Sequence, residues 1–132
     1  MLGSVDSQSG VIVADLEAGI GTLTRLGHAQ LDVVLVVVEP TPRSIEVGRR
    51  AVELAVASRQ GRVVVVANQL MEVADEATIR EAFPGVEIVA VPADKAVAAA
   101  DRVGLSLLDV APDGPAARAL LSLAASLHPG PS

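Results

Sequence analysis

The stretch VIVADLEAGIGT, residues 11–22, is an apolar run that ends on Asp15 and leads through Glu17 into a glycine-studded loop. An aspartate at the carboxyl end of a buried strand can hold a magnesium ion through water, while a following glycine amide faces a terminal phosphate. The pattern is short, and on its own a helix N-cap or a plain turn residue is the commoner outcome. GIGT at 19–22 is a poor phosphate loop, because it lacks the lysine and the longer glycine spacing of GxxxxGK[ST]. Asn68 ends VVVVAN with a carboxamide that both donates and accepts, which suits the edge of a purine; a turn asparagine is the ordinary alternative. Glu39-Pro40 could orient a ligand group, although a glutamate before proline is usually a solvated turn. His28 and His128 stand alone, with no carboxylate or cysteine at metal-ligand spacing.

Four Val- and Ile-rich runs must position these groups: Val11–Ala14, Val33–Val38, Val63–Ala67 and Glu87–Val91. None alternates apolar with polar residues, so each reads as a strand buried on both faces. Between them the period is helical. Over Pro42–Ser58, Val47, Ala51, Leu54 and Ala55 share one face, while Glu46 with Arg50 and Arg49 with Glu53 make i,i+4 pairs, and Gly61 closes the helix. Asp75 is placed to N-cap a short helix that stacks Ile79 on Phe83 and ends at Pro84-Gly85. Asp94 caps a helix stopped by Gly104, and a last helix over Pro115–Leu127 carries Leu120, Leu123, Ala124 and Leu127 on one side. Alternating strands and helices predict an α/β fold, a parallel sheet of about four strands with helices on both faces and right-handed crossovers. Ligands of such sheets gather at the carboxyl ends of the strands, here Asp15 to Gly19, Glu39-Pro40, Asn68-Gln69 and Pro92 to Asp94.

A chain of 132 residues fits one domain, placed over 11–127 with a flexible Ser/Gly-rich segment at 1–10 and a flexible HPGPS tail at 128–132. There is no cysteine, and Phe83 is the single aromatic residue, so thiolate metal sites, disulfides and aromatic base-stacking platforms are excluded. A formal charge of −6, with the basic residues dispersed, argues against direct nucleic-acid binding. The longest apolar run, Val33–Val38, is too short to span a membrane, and the N-terminal residues lack the pattern of an export signal, so a cytoplasmic location is expected.

Taken in order, VIVADLEAGIGTLTR, DVVLVVVEPTPRSIEVGRRAVELA, VVVVANQL, VPADKAVAAADRVGLSLLD and the closing helix resemble the C-terminal part of the MinD/ParA-type (SIMIBI-class) P-loop ATPases. The nearest branch is the one serving nickel insertion into carbon monoxide dehydrogenase. The resemblance covers nearly all of Val11 to Leu127. It implies that Asp15-x-Glu17-Ala-Gly19 is the Walker B and switch II segment, with Asp15 reaching the magnesium shell and Gly19 the γ-phosphate. It further implies that Asn68 touches adenine, with Gln69 where the family has lysine, and that the turn holding Pro92 and Asp94 cups the base. Residues 104–109, GLSLLD, match the segment that docks the last helix.

The family's P-loop, with its lysines, has no counterpart in this sequence, and neither has the Cys-x-Cys motif of the nickel branch. Backbone amides and lysine in that loop position and stabilise phosphoryl transfer, so ATP hydrolysis by these residues alone is not expected. The expectation is a truncated or split nucleotide-binding domain with ATP or ADP and magnesium as its ligands. It would act with a P-loop-bearing partner in metallocentre maturation or a related ATP-driven process. In the family the P-loop strand lies beside DVVLVVVEP, so direct strand pairing, a filling partner or self-association is also expected. The alternative is a non-catalytic dimerisation or interaction module that keeps the sheet without binding nucleotide. A receiver or flavodoxin-like domain fares worse, since the acidic cluster and lysine a receiver needs are missing.

Overall fold

The computed structural model describes residues 11–13 and 31–127. Three parallel strands, β1 (Val33–Val38), β2 (Arg62–Leu70) and β3 (Glu87–Pro92), lie in that order in one sheet. Helices α1 (Pro42–Ala57) and α2 (Val73–Ala82) connect them, and α3 (Lys95–Val103), the short α4 (Leu107–Val110) and α5 (Pro115–Leu127) follow. Adjacent parallel strands need crossovers, and α1 and α2 both pack on the same face, as crossovers of one hand advancing in one direction must. The α/β parallel sheet is therefore as the apolar runs predict, with three strands among the described residues rather than about four. The difference falls on the first run: Val11, Ile12 and Val13 form no strand and are exposed, because no neighbouring ladder pairs their backbone.

Two apolar clusters flank the sheet. On the first face Val34, Val36 and Val38 of β1 and Val65, Ala67 and Leu70 of β2 meet Val52 and Ala55 of α1 and Ile79 of α2, with Phe83 just beyond it. On the second, Val64, Val66 and Val91 meet Ala116 and Leu123 of α5. β2 is covered on both sides, and β3 has Ile88 and Ala90 against the first cluster and Val89 and Val91 on the second. β1 alternates instead, with Val34, Val36 and Val38 buried while Leu35 and Val37 are 42 % and 59 % exposed, so it is not the doubly buried strand its composition predicts. An unbroken valine run satisfies either pattern; what covers it decides.

α1 begins with Thr41, whose Oγ1 accepts from the Ser44 amide at 3.3 Å, and Pro42 occupies its first turn. Its buried stripe runs through Gly48, Val52 and Ala55, whereas Val47 faces out. The stripe is displaced because the helix lies against the sheet at a glycine: a Cβ on Gly48 would sit 2.6 Å from Val38 Cγ2 and 3.2 Å from Phe83 Cζ. Of the two expected ion pairs, Glu46–Arg50 closes at 3.0 Å, and Arg49–Glu53 is not among the ion pairs of the described residues. Nor is Gly61 the helix stop. Ser58 and the left-handed Arg59 end α1, with the Gln60 amide donating to the Ala55 carbonyl. Gly61 instead lets the chain cross the start of β1, since a Cβ there would lie 2.2 Å from the Asp32 carbonyl oxygen.

α2 starts earlier than expected, with Glu72 as N-cap and Asp75 at the third helical position. The Asp75 carboxylate reaches back to accept from the Met71 and Glu72 amides at 2.9 and 3.0 Å. Ile79 and Phe83 lie buried in one cluster, Phe83 as the residue that ends α2, and Gly85 turns the chain at φ +76. In α5 the buried residues are Ala116, Ala117 and Leu123, so small residues approach the sheet while Leu120 and Ala124 face out.

Candidate functional site

The carboxyl ends of the parallel strands carry Glu39, Asn68, Pro92 and Asp94. Asp15, Glu17 and Gly19 lie outside the described residues. Asn68 and Pro92 belong to neighbouring strands, and Leu70 pairs with Pro92 while the Ala93 amide donates to the Leu70 carbonyl at 2.9 Å. The two predicted base-facing segments are thus brought together at one end of the sheet. Glu39 stands apart at the β1 end, where its amide donates to Ser44 Oγ at 2.8 Å and its carbonyl accepts from the Thr41 amide. That turn is built to start α1.

The end of β2 is irregular. Ala67 pairs with Ala90 and Leu70 with Pro92, so two residues, Asn68 and Gln69, stand opposite Val91 alone. This is a bulge, and Gln69 adopts φ +58. Bulges are uncommon in parallel pairs and are over-represented beside active sites, where they redirect side chains. Left-handed backbone costs an ordinary residue about 1 kcal/mol. Asn68 is half-buried, and its carboxamide makes no hydrogen bond to the described residues. On the α2 side, an open groove of about 470 Å³ is bordered by Leu70, Ala90 and Pro92 from the sheet and by Glu72, Val73, Glu76, Ala77 and Arg80 around α2; Asn68 is not part of its lining. Nothing in the sequence announces the bulge, because glutamine carries no preference for positive φ; the only available signal was its lying at a strand end beside Asn68.

Asp94 has two tasks. Its Oδ1 accepts from the Ala96 amide at 2.9 Å, capping α3, and its Oδ2 accepts from the Ala116 amide at 3.3 Å in the first turn of α5. A Cβ on Gly114 would lie 3.0 Å from Oδ2, so glycine there leaves room for the carboxylate. With both oxygens engaged by backbone donors, Asp94 shapes the turn after β3 and ties two helix starts together.

At the opposite end of the sheet, Arg62 grips Glu87 with Nε and Nη2 across the β2–β3 ladder, and its Nη1 donates to the Ser126 carbonyl near the end of α5 at 3.0 Å. The paired guanidinium draws the Glu87 carboxyl below its usual range, and Glu87 in turn raises Arg62. This pair ties strands and helix together away from the site. Among the described residues, no group of three His, Asp or Glu side chains could hold a metal ion, and no helix is long and apolar enough to cross a membrane.

One comparison bears on this geometry. The chain is similar to a carbon monoxide dehydrogenase accessory protein. It is 29% identical over 102 residues to CooC of Rhodospirillum rubrum, a match covering 76% of this chain and 39% of CooC. The chain thus spans well under half the length of that curated relative. The similarity supports the MinD/ParA-type expectation at the level of the family. No protein-family model matches the chain, and no solved structure does.

Proposed function

We propose that this chain supplies the base-binding side of a MinD/ParA-like nucleotide-binding domain that takes part in metallocentre maturation. One observation carries the reading: Asn68 and the Pro92–Asp94 turn sit on adjacent parallel strands at the end of the sheet where ligands of such folds bind. The similarity to a dehydrogenase accessory protein supplies the process. The residues fit an adenine nucleotide on its base side, since a carboxamide with no partner among the described residues can both donate to and accept from a purine edge. Pro92 and Leu70 border an open groove that Glu72, Glu76 and Arg80 also line. Asp94 holds the turn in shape rather than touching the base. Bound ATP would bring the phosphoryl chemistry. Asp15 is the residue assigned to its magnesium by resemblance, with Glu17 and Gly19 at the phosphate end.

The 132 residues contain no GxxxxGK[ST] segment, so turnover requires phosphate-binding groups from elsewhere. Calorimetric titration with ADP, and with ATP plus Mg²⁺, tests the reading. It should show weak binding of both that Asn68→Ala abolishes, and no hydrolysis. Absence of binding, or binding unchanged in Asn68→Ala, would overturn it.

A second reading, an interaction module, is favoured by β1. This strand pairs only with β2 among the described strands and turns Leu35 and Val37 outward on the face that α5 leaves open. Edge strands with apolar exposure invite pairing with another chain. The two readings converge if the partner at β1 is the chain that brings the phosphate loop.

A further inference from the structure

The two edges of the sheet are finished differently. β3 carries a charge at its start, Glu87, held by Arg62, and a proline at its end, Pro92, and its pairing with β2 is irregular between Ala67 and Leu70. Charges, proline and bulges are the devices that keep an edge strand from pairing with another chain. β1 has none of them. Its residues, Val33–Val38, are all Val or Leu and run in unbroken register with residues 62–67 of β2, and no described strand pairs with its other side. Nor does the chain's first apolar run close that edge, since Val11, Ile12 and Val13 form no strand and are exposed.

Charge selects the partner that suits such an edge. The chain carries a formal charge of −6, yet residues 31–61, which hold β1 and α1, contain four acidic and four basic side chains. That stretch is neutral, and the acidic excess lies elsewhere. A basic partner would be drawn to the rest of the surface, whereas a second copy meets no net repulsion at β1.

Two-fold symmetry also fits the strand. When an edge strand pairs antiparallel with its own copy, residues directly opposite each other share a face. Each copy's Leu35 and Val37 would then lie against the other's, on the side that α5 leaves open. The contact is the same seen from either copy, as a closed dimer requires.

We propose that β1 is a dimerisation edge, at which a second copy of this chain pairs antiparallel and joins the two three-stranded sheets into one. This rests on the interaction-module reading and names its partner. The edge is small beside the roughly 800 Å² per partner of a standard interface, so the dimer should be weak, dissociating on the order of 10 µM.

Sedimentation equilibrium of the whole chain across that concentration range tests this, with hydrogen exchange of the β1 amides as a second readout. The expected result is a monomer–dimer equilibrium in which alternate β1 amides, those turned away from β2, gain protection as concentration rises. Leu35→Lys combined with Val37→Lys, both at exposed positions, should weaken association by more than about tenfold and leave the Tm of the dilute chain unchanged. Val103→Lys, at an exposed valine ending α3, should leave association within about twofold. Association that the lysine pair leaves intact would overturn the inference. A chain that stays monomeric with freely exchanging edge amides would also overturn it, while leaving β1 open to a different protein and the interaction-module reading standing. A monomer whose edge amides are protected at every concentration would sink both, because the chain's own residues would then cover the edge.

Discussion

The two faces of the sheet are built on different terms. On the α1–α2 face the helices come close: Gly48 lets α1 settle against Val38, and Ile79 and Phe83 are 0 % and 3 % exposed. On the α5 face the cover stops at β2 and β3, so Val64 is fully buried while Leu35 and Val37, one strand away, meet solvent. A single run of valines thus serves as interior on one side and as surface on the other. The difference shows which face of the sheet is closely covered and which is left open by the described helices.

The comparison can be broken hardest on the close-packed side. Phe83→Ala should cost about 4 kcal/mol in urea-melt stability, because the ring fills the seam where α1 and α2 meet and little can collapse into its place. Gly48→Ala should cost about 2 kcal/mol on the same assay, the methyl having to displace the buried Val38 side chain. Asp94→Ala, which acts through helices of the other side, should also cost about 2 kcal/mol by removing acceptors from two helix starts, with Asp94→Asn less damaging. By contrast, Leu35→Ser and Val37→Ser should change stability by less than about 0.5 kcal/mol in the monomer, yet weaken any association measured by ultracentrifugation.

The smallest expected effect is a pH dependence from the strap at the other end of the sheet. The Glu87 carboxyl titrates lower in the folded chain than in the unfolded one, owing first to its hydrogen bonds from Arg62. Its stabilisation is therefore fully present above the ordinary carboxylate range and is lost as pH falls through the depressed folded value. Glu87→Gln should flatten that acid limb slightly, as comparison of melts through the acid range would reveal.

Much of this architecture was legible in the residues, and the gaps have physical causes. Pro42 at the start of α1, Asp94 as the cap of α3 and Gly104 as its stop marked helix ends correctly, because these signals are local chemistry. Counting apolar side chains missed the centre of α1, since Gly48 has no side chain to count and is buried for that reason. Asp75 was recognised as a helix-start residue but placed three positions too late, because an acidic residue reaching back to cap an entry looks, in sequence, like one that begins it. Val11, Ile12 and Val13 show that an apolar run becomes a strand only where a ladder receives it. At the site, the chemical type of Asn68 was readable and its neighbourhood with the Pro92 turn followed from the parallel sheet. The left-handed Gln69 was not, because it is set by the register of two strands rather than by the residue.

Phe83 has one more consequence. With no tryptophan or tyrosine in the chain, its near-ultraviolet spectrum belongs to one ring, held rigidly between two helices and the sheet. Loss of the phenylalanine circular-dichroism fine structure would therefore report the opening of that single seam, and a tryptophan introduced anywhere else would fluoresce against a dark background. The chain carries, in effect, its own one-site optical gauge.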